Sequence, residues 1–183
     1  MLKKIILKLN IYILQLLRRD SSNAKIDFYR EVGYQIGDRC RIFSDLTSAE
    51  PYLVLIGNNV TISTGCIFLT HDNSIIKVSE GKYTDLFGKI EIGNDCFIGA
   101  NSIILPGVKL EDRTIVAAGS VVTKSVNKSG QIIGGNPAKV IGQCVHFLEK
   151  NSGKAFDCKG KNRKERRSTI EMNAHKLIKR EFM

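Results

Sequence analysis

The chain has 183 residues, of which 43% are hydrophobic and 25% charged, with 16 Gly and only 3 Pro. This composition is typical of one globular domain with short appendages and excludes a collagen-like, Pro-rich or largely disordered protein. The net charge of +10 is uneven, because residues 1–20 carry +4, residues 150–183 carry +7 and the segment between them carries −1, which disfavours uniform binding of nucleic acid by the body of the protein.

Residues 1–20 are predicted to form a basic amphipathic helix. Its apolar stripe consists of Ile5, Leu9, Tyr12, Ile13 and Leu16. Polar residues interrupt the apolar run and no small-residue cleavage site follows, so neither a membrane span nor a secretory signal peptide is expected. Two interpretations stay open at this stage. The helix lies on a membrane surface with its Lys and Arg at the lipid headgroups, or it packs against its own chain or an oligomer partner.

The middle of the chain contains a six-residue repeat. Aliphatic residues recur at Ile92, Ile98, Ile104, Leu110, Val116 and Val122, and small or β-branched residues recur at Cys96, Ser102, Val108, Thr114, Ser120 and Val126. Residues 36–42 and 56–68 follow the same rule, and the pattern breaks at 43–55 and 71–89. A period of six fits neither a helix nor a single strand. It predicts a parallel β-helix, in which short strands alternate with turns and each coil stacks on the next.

Three of the five cysteines fall in this repeat. Cys40, Cys66 and Cys96 occupy the small position, which we expect to lie inside the prism, where a buried thiol is unreactive. The cysteine count is odd and no CxxC pair is present, so we expect neither a disulfide framework nor a zinc site. This usage fits the reducing cytoplasm and disfavours a cysteine nucleophile.

His71 stands where the repeat breaks, at the start of an excursion over residues 71–89. A loop extruded from a regular prism creates an irregular patch, and such loops often carry function. Imidazole has an ordinary pKa near ~6.5 and can act as a general base at neutral pH. The other two histidines, His146 and His175, lie outside the repeats. His71 is therefore the candidate catalytic residue.

Residues 163–181 are predicted to form a C-terminal helix. Its apolar stripe is Ile170, Ala174, Leu177 and Ile178, and Lys and Arg dominate the other faces. The segment offers no aromatic stacking platform and no nucleic-acid-binding motif. We therefore favour a docking helix with a solvated basic face over a nucleic-acid-binding tail.

Three segments resemble the hexapeptide-repeat acyltransferases: IGNDCFIGANSIILPGVKL, AAGSVVTK and GGNPAKVIG. Within that family they resemble the branch of maltose and galactoside O-acetyltransferases and of capsule and O-antigen O-acetyltransferases. EPYLVLIGNNVTIS and FLTHDNS resemble the capsular polysaccharide enzymes in particular. The resemblance covers residues 33–142. It implies an all-β core built as a left-handed parallel β-helix, helices at both ends, and assembly as a homotrimer.

The expected organisation follows from this resemblance. Residues 1–32 form the N-terminal helix and a linker, residues 33–142 form the β-helix with an active-site loop at 71–89, and residues 143–183 form a basic helical extension.

The resemblance also implies an activity, namely transfer of an acetyl group from acetyl-CoA to a hydroxyl of a bacterial surface glycan or sugar, without a metal. His71 stands at the position of the family's general base. Candidate coenzyme A contacts are Ala100, Ala118, Thr123, Lys124 and Lys139, and candidate acceptor contacts are Asp45, Glu50 and Asp72. For Asp72, bracing of the loop is the other interpretation, since adjacent residues on an extended chain point to opposite sides.

Two alternatives to this activity stay open. The first is N-acetylation of an amino sugar or another small acceptor, which mild alkali distinguishes because it removes O-acetyl groups and leaves N-acetyl groups. The second is a non-catalytic β-helix scaffold or a metal-binding hexapeptide protein, disfavoured because only one histidine lies within the repeats. The enzyme is expected in the cytoplasm, with the inner face of the membrane as a further location if the acceptor is lipid-linked.

Overall fold

The computed structural model describes residues 2–17 and 21–179 of the chain. The chain divides into two compact units, Met1–Cys144 and Val145–Met183. Helices α1 (Leu2–Leu16) and α2 (Ser22–Val32) begin the first unit, and stacked strands make up the rest of it. Helix α3 (Cys144–Asn151) starts at the boundary, and helix α4 (Arg163–Met172) lies in the second unit.

Short strands follow the two N-terminal helices along the described chain. They are β1 Gln35–Ile36, β2 Arg41–Ile42, β3 Val54–Ile56, β4 Thr61–Ile62, β5 Ile67–Phe68, β6 His71–Asp72, β7 Leu86–Phe87, β8 Ile90–Ile92, β9 Phe97–Ile98, β10 Ile103–Ile104, β11 Lys109–Leu110, β12 Ile115–Val116, β13 Val121–Val122, β14 Gln131–Gly135 and β15 Ala138–Gln143. Most of them have two or three residues because a turn follows every repeat.

Apart from β6 and β7, which pair only with each other, these strands form the three sides of a prism, and each side is a sheet. Side A has the order β1-β3-β8-β11, side B has β2-β4-β9-β12-β14-β15 and side C has β5-β10-β13. All the pairs within sides A and C are parallel, and side B is parallel until β14 turns back into β15. Glu91 pairs with Lys109, so one coil takes 18 residues, or three repeats. The predicted parallel β-helix is confirmed.

The interior of the prism is filled by the two repeat positions. Every aliphatic position from Ile92 to Val122 is at most 3% exposed, and the small positions from Cys96 to Val126 are at most 6% exposed. The hydroxyl of Ser102 donates to the carbonyl oxygen of Gly99 at 2.7 Å, so the polar members of the small position are paired inside the core. This matters because a buried polar group without a partner is costly.

The three thiols predicted to be buried are buried. Cys40, Cys66 and Cys96 are 2–4% exposed. Burial raises the pKa of all three thiols, and for Cys96 it raises the pKa to about 11. Since the thiolate is the reactive form of cysteine, these side chains are inert at neutral pH.

One corner of the prism is held by a ladder of side-chain amides and carboxylates. The side-chain oxygen of Asn94 accepts from the backbone N–H of Asn58 at 2.8 Å, and that of Asp112 accepts from the N–H of Asn94 at 2.6 Å. The glycines before Asn58 and Asn94 make the approach possible, since a Cβ on Gly93 would lie 2.6–2.9 Å from Glu111 and Asp112. The repeat therefore depends on Gly at this corner as well as on aliphatic residues inside.

Both chain ends differ in part from the sequence-based expectation. The single N-terminal helix is a pair, since α2 follows α1, and Arg18 and Arg19 lie outside the described residues. The C-terminal helix begins with a capping box at Asn162 but ends at Met172, because the backbone leaves helical geometry at Asn173. The predicted continuation to residue 181 is therefore wrong through residue 179, and residues 180 and 181 lie outside the described part.

Candidate active site

Two irregular segments leave the prism at the same edge. Residues 43–50 replace the side C strand in the first coil, and the excursion that starts at His71 follows the side C strand of the second coil. The chain then re-enters side A as β3 after the first segment and as β8 after the second, and β3 and β8 are paired neighbours. Coil stacking therefore brings Glu50, at the end of one segment, next to His71, at the start of the other.

His71 lies in a short hairpin that shapes the excursion. Strand β6 pairs antiparallel with β7, so that His71 is opposite Phe87, and their ring centroids are 6.0 Å apart. The imidazole side chain is 37% exposed. The chain returns to the prism through Gly88, where a Cβ would lie 2.2 Å from the backbone nitrogen of Gly107. The predicted excursion is confirmed, and it presents a histidine that is anchored and yet accessible.

A carboxylate orients the imidazole. Glu50 Oε2 lies 2.9 Å from His71 Nδ1. The same oxygen accepts a hydrogen bond of 2.6 Å from the hydroxyl of Thr70, which is 2% exposed. The Ser48 hydroxyl lies 2.6 Å from that of Thr70 and donates to it, because the Thr70 proton already points to Glu50. Glu50 is thus fixed by the buried hydroxyl of Thr70, which the partly buried hydroxyl of Ser48 supports in turn.

These contacts determine the protonation of the pair. Hydrogen bonds from Thr70 and then His71 lower the pKa of Glu50, so it remains a carboxylate that can only accept. The hydrogen on His71 is therefore on Nδ1, which leaves Nε2 as the nitrogen able to accept a proton. The hydrogen bond to Glu50, followed by its negative charge, raises the pKa of His71 above the ordinary value of 6.5.

The N-terminal helix α2 holds the segment that carries Glu50. The Nζ of Lys25 on α2, a residue only 4% exposed, lies 2.7 Å from Asp45 Oδ1 and 3.3 Å from the carbonyl oxygens of Phe43 and Ser44. The hydroxyl of Tyr29, also on α2, accepts from the backbone N–H of Leu46 at 3.1 Å. The role of α2 in the site was not predicted, because its residues carry no catalytic motif.

The three predicted acceptor contacts have different surroundings. Glu50 binds His71, Asp45 binds Lys25, and Asp72 accepts from the backbone N–H of Ser74 at 2.8 Å. The bond from Ser74 lowers the pKa of Asp72 and fits the expected bracing of the loop. The structure brings only Glu50 into contact with the catalytic candidate, and contact of these residues with an acceptor stays a prediction.

Two of the five predicted coenzyme A contacts meet in one groove. Lys124 and Lys139 line a groove of about 570 Å³ at the C-terminal end of the prism, and Lys128 lines it as well. Lys128 was missed because it lies outside the repeat motifs, although its spacing of four residues from Lys124 was a usable signal. Three ammonium groups around one concave surface suit a phosphate-bearing ligand.

The remaining predicted contacts lie at or near the corners of the last coils. The carbonyl oxygen of Ala100 accepts from the backbone N–H of Gly119 at 2.8 Å, which stacks residues 100 and 118 one coil apart. A Cβ on Gly99 would lie 2.5 Å from the nitrogen of Ala118, so the two coils are in close contact there. Thr123 is exposed directly before Lys124. Binding of coenzyme A by these residues stays a prediction.

Within residues 2–17 and 21–179, no group of three or more His, Cys, Asp or Glu side chains is placed to hold a metal ion.

The sequence of this chain matches a known protein family. A family model described as the hexapeptide repeat of succinyl-transferase matches residues 89–124. Protein CapG of Staphylococcus aureus is 44% identical over 133 residues, which cover 70% of this chain and 74% of CapG. The chain belongs to the hexapeptide-repeat acetyltransferase family. It is thus an acyltransferase by family, as predicted from its motifs.

Solved structures of this family share the fold. A galactoside acetyltransferase in complex with coenzyme A superposes with a TM-score of 0.56 at 17% identity, over 80% of this chain and 83% of that one. The polysialic acid O-acetyltransferase OatWY superposes with a TM-score of 0.54 at 25% identity, over 61% of this chain and 54% of that one. The predicted left-handed β-helix with helical ends is confirmed.

The His71–Glu50 pair can be tested without knowledge of the substrate. We expect Glu50→Gln to lower the pKa of His71, because a neutral amide no longer stabilises the imidazolium ion. Histidine titration followed by NMR measures this shift. Glu80→Gln, which removes an exposed carboxylate elsewhere in the same excursion, is the control and should leave the titration of His71 in place. Equal pKa values for His71 in wild type and Glu50→Gln would contradict the pairing.

Proposed function

We propose that this protein transfers an acetyl group from acetyl-CoA to a hydroxyl group of a sugar in a bacterial surface glycan, with His71 as the general base. The observation that carries the proposal is the pairing of His71 Nδ1 with Glu50 at 2.9 Å, which leaves Nε2 to accept a proton. Structural similarity to a galactoside acetyltransferase and to a polysialic acid O-acetyltransferase supports a sugar acceptor.

His71 supplies the proton transfers of this reaction. Nε2 takes the proton of the acceptor hydroxyl as its oxygen attacks the thioester carbonyl carbon, and a C–O bond forms. The C–S bond then breaks, and the imidazolium returns the proton to the departing thiolate sulfur. Because a sugar hydroxyl is a poor nucleophile at neutral pH, this positioned base contributes roughly 10²–10⁴-fold to the rate.

Glu50 acts through His71 as a positioning residue. Its carboxylate keeps the hydrogen on Nδ1, orients the ring and stabilises the imidazolium ion that forms during the attack. The hydrogen bond of 2.6 Å from Thr70 keeps the carboxylate in place. The buried hydroxyl of Thr70 therefore fixes the carboxylate that orients the imidazole.

The groove of Lys124, Lys128 and Lys139 is the proposed site for the phosphates of coenzyme A. Its cations fit this role, because ammonium groups bind phosphates as point charges. Residues 100 and 118, with small side chains, would lie along the pantetheine arm, where they permit close approach of the ligand. Thr123 would lie between the two regions.

We also propose that the protein assembles as a trimer through side C. The outward residues of this side are apolar, namely Ile67, which is 44% exposed, Ile103 and Val121. Phe87, opposite His71, is 62% exposed. A second chain packed on this surface would cover apolar groups and enclose the site beside His71.

The reaction itself is tested by release of the coenzyme A thiol in the presence of a panel of polysaccharide repeat units and simple sugars. We expect His71→Ala to lower kcat by roughly 10²–10⁴-fold while the fold and coenzyme A affinity are retained. His146→Ala, outside the β-helix, serves as the control. Mild alkali should release acetate from the product, since the bond formed is an ester. Near-normal turnover by folded His71→Ala would reject His71 as the base.

The phosphate groove is tested by Lys124→Gln combined with Lys139→Gln. We expect the Kd for coenzyme A to rise about tenfold and its dependence on salt to weaken, because charge attraction to the phosphates is lost. Lys89→Gln combined with Lys109→Gln removes two lysines that pair with Glu91 and Glu111 on side A, and provides a control of equal charge. An unchanged Kd in the groove variant would place the phosphates elsewhere.

Assembly is tested by light scattering. We expect a mass near three times 20.4 kDa for the wild type. Ile67→Glu should lower this mass, because a carboxylate cannot be buried without a partner, whereas Gln35→Glu on side A should not. A wild type that is active as a monomer would contradict the trimer.

A further inference from the structure

Helix α1 has two apolar faces, and only one of them is covered by the chain. Leu7, Ile11 and Leu14 are the partly buried residues of α1, and their spacing places them on one stripe, the side that packs against α2. The opposite side is also apolar. Eight large side chains there are 44–71% exposed, namely Leu2, Ile5, Ile6, Leu9, Tyr12, Ile13, Leu16 and Leu17. At 3.6 residues per turn they span roughly 140° of the helix surface.

One border of this exposed face is positively charged. Lys4 and Lys8 lie along it, whereas Lys3, along the other border, forms an ion pair with Glu31 of α2. Helix α1 itself contains no acidic residue. Lysine stems are long enough to lie along an apolar surface while their ammonium groups reach outward. Lys4 lies in the first turn, next to the positive end of the helix dipole, an arrangement that favours an anionic partner.

We propose that this face of α1 binds the surface of a membrane that contains anionic lipids, with the apolar side chains among the acyl chains and the lysines at the headgroups. A helix with a wide apolar face beside a basic border fits interfacial binding. No helix within the described residues is long and apolar enough to cross a membrane, so contact through α1 is peripheral.

A second copy of the chain fits this face less well. A stable protein interface takes roughly 20–30 residues from each partner, whereas the exposed face of α1 offers eight. Helix pairing also uses opposite charges beside the apolar seam, and here the flanking positions carry Lys, Asn and Gln without any acid. A bilayer supplies negative charge and needs no matching shape.

Membrane binding does not depend on the proposed acetyl transfer, and its failure would leave His71 and the lysine groove untouched. Membrane binding through α1 would hold the enzyme at a surface where a lipid-carried acceptor is concentrated.

The test is co-sedimentation of the full chain with vesicles of phosphatidylglycerol and phosphatidylcholine in a 3:7 ratio, compared with pure phosphatidylcholine. We expect binding to the anionic vesicles and partial release in high salt. Lys4→Gln combined with Lys8→Gln should weaken binding about 30-fold, since each lysine near an anionic surface contributes about fivefold. Wild type that pellets equally with both vesicle types, or with neither, would overturn the proposal.

The apolar contribution is tested with a charge-matched pair of variants. Leu9→Glu combined with Leu16→Glu places two carboxylates in the centre of the exposed face, where both side chains are more than half exposed. Asn10→Glu combined with Gln15→Glu adds the same charge outside it. We expect the first variant to lose at least ten times more affinity than the second, with both retaining the helix content of the wild type by circular dichroism.

Two results from these variants would overturn the proposal. One is equal binding by both charge-matched variants. The other is a changed oligomeric mass for the Leu9→Glu and Leu16→Glu variant in the absence of vesicles, which would assign the face to a second copy of the chain. If that variant does not fold, the proposal is decided by vesicle binding of the wild type and of the variant that combines Lys4→Gln with Lys8→Gln.

Discussion

The stacking of each six-residue unit on its equivalent in the next coil is the interaction on which the rest of the structure depends. Aliphatic side chains such as Ile92 and Ile98 fill the prism, and the Gly that follows each of these two lets the next coil approach within contact distance of the backbone. A coil of 18 residues leaves no room inside for an insertion. Any extra segment must leave at a corner and return there, as the excursion from His71 to Gly88 does.

This constraint explains why a regular fold presents a histidine that is both hydrogen-bonded and accessible. In the first coil the side C strand is missing, and α2 holds the replacement segment through Lys25 and Tyr29. In the second coil the excursion begins at the same edge. Glu50 and His71 are therefore paired by the regular spacing of coils, and the network through Thr70 ties the pair to the core. The orientation of the His71 ring is therefore set by the prism itself.

The electrostatics of the pair follow from that placement. A carboxylate held in its ionised form by a buried hydroxyl stabilises the imidazolium form of its neighbour and raises the pKa of His71. A base with a raised pKa holds its proton more firmly after abstraction and is neutral over a narrower range of pH. In the proposed reaction, Glu50 would thus strengthen His71 as a proton acceptor and limit turnover at acidic pH.

The amino-acid sequence by itself determined the prism, its buried thiols and the exit point of the excursion. The reason is that a period of six is a local property, since each repeat carries the same pattern of aliphatic and small residues. It did not reveal the Glu50–His71 pair, since the two residues meet only when one coil stacks on the next. The same holds for Lys128, which joins Lys124 and Lys139 only after β14 folds back into β15. The position of helix α2 depends on tertiary contacts, such as that of Lys25 with Asp45. The end of α4 at Met172 depends on the backbone conformation of Asn173. Repetition fixes what lies inside the coils, whereas contacts between irregular segments depend on the distances that the assembled prism imposes.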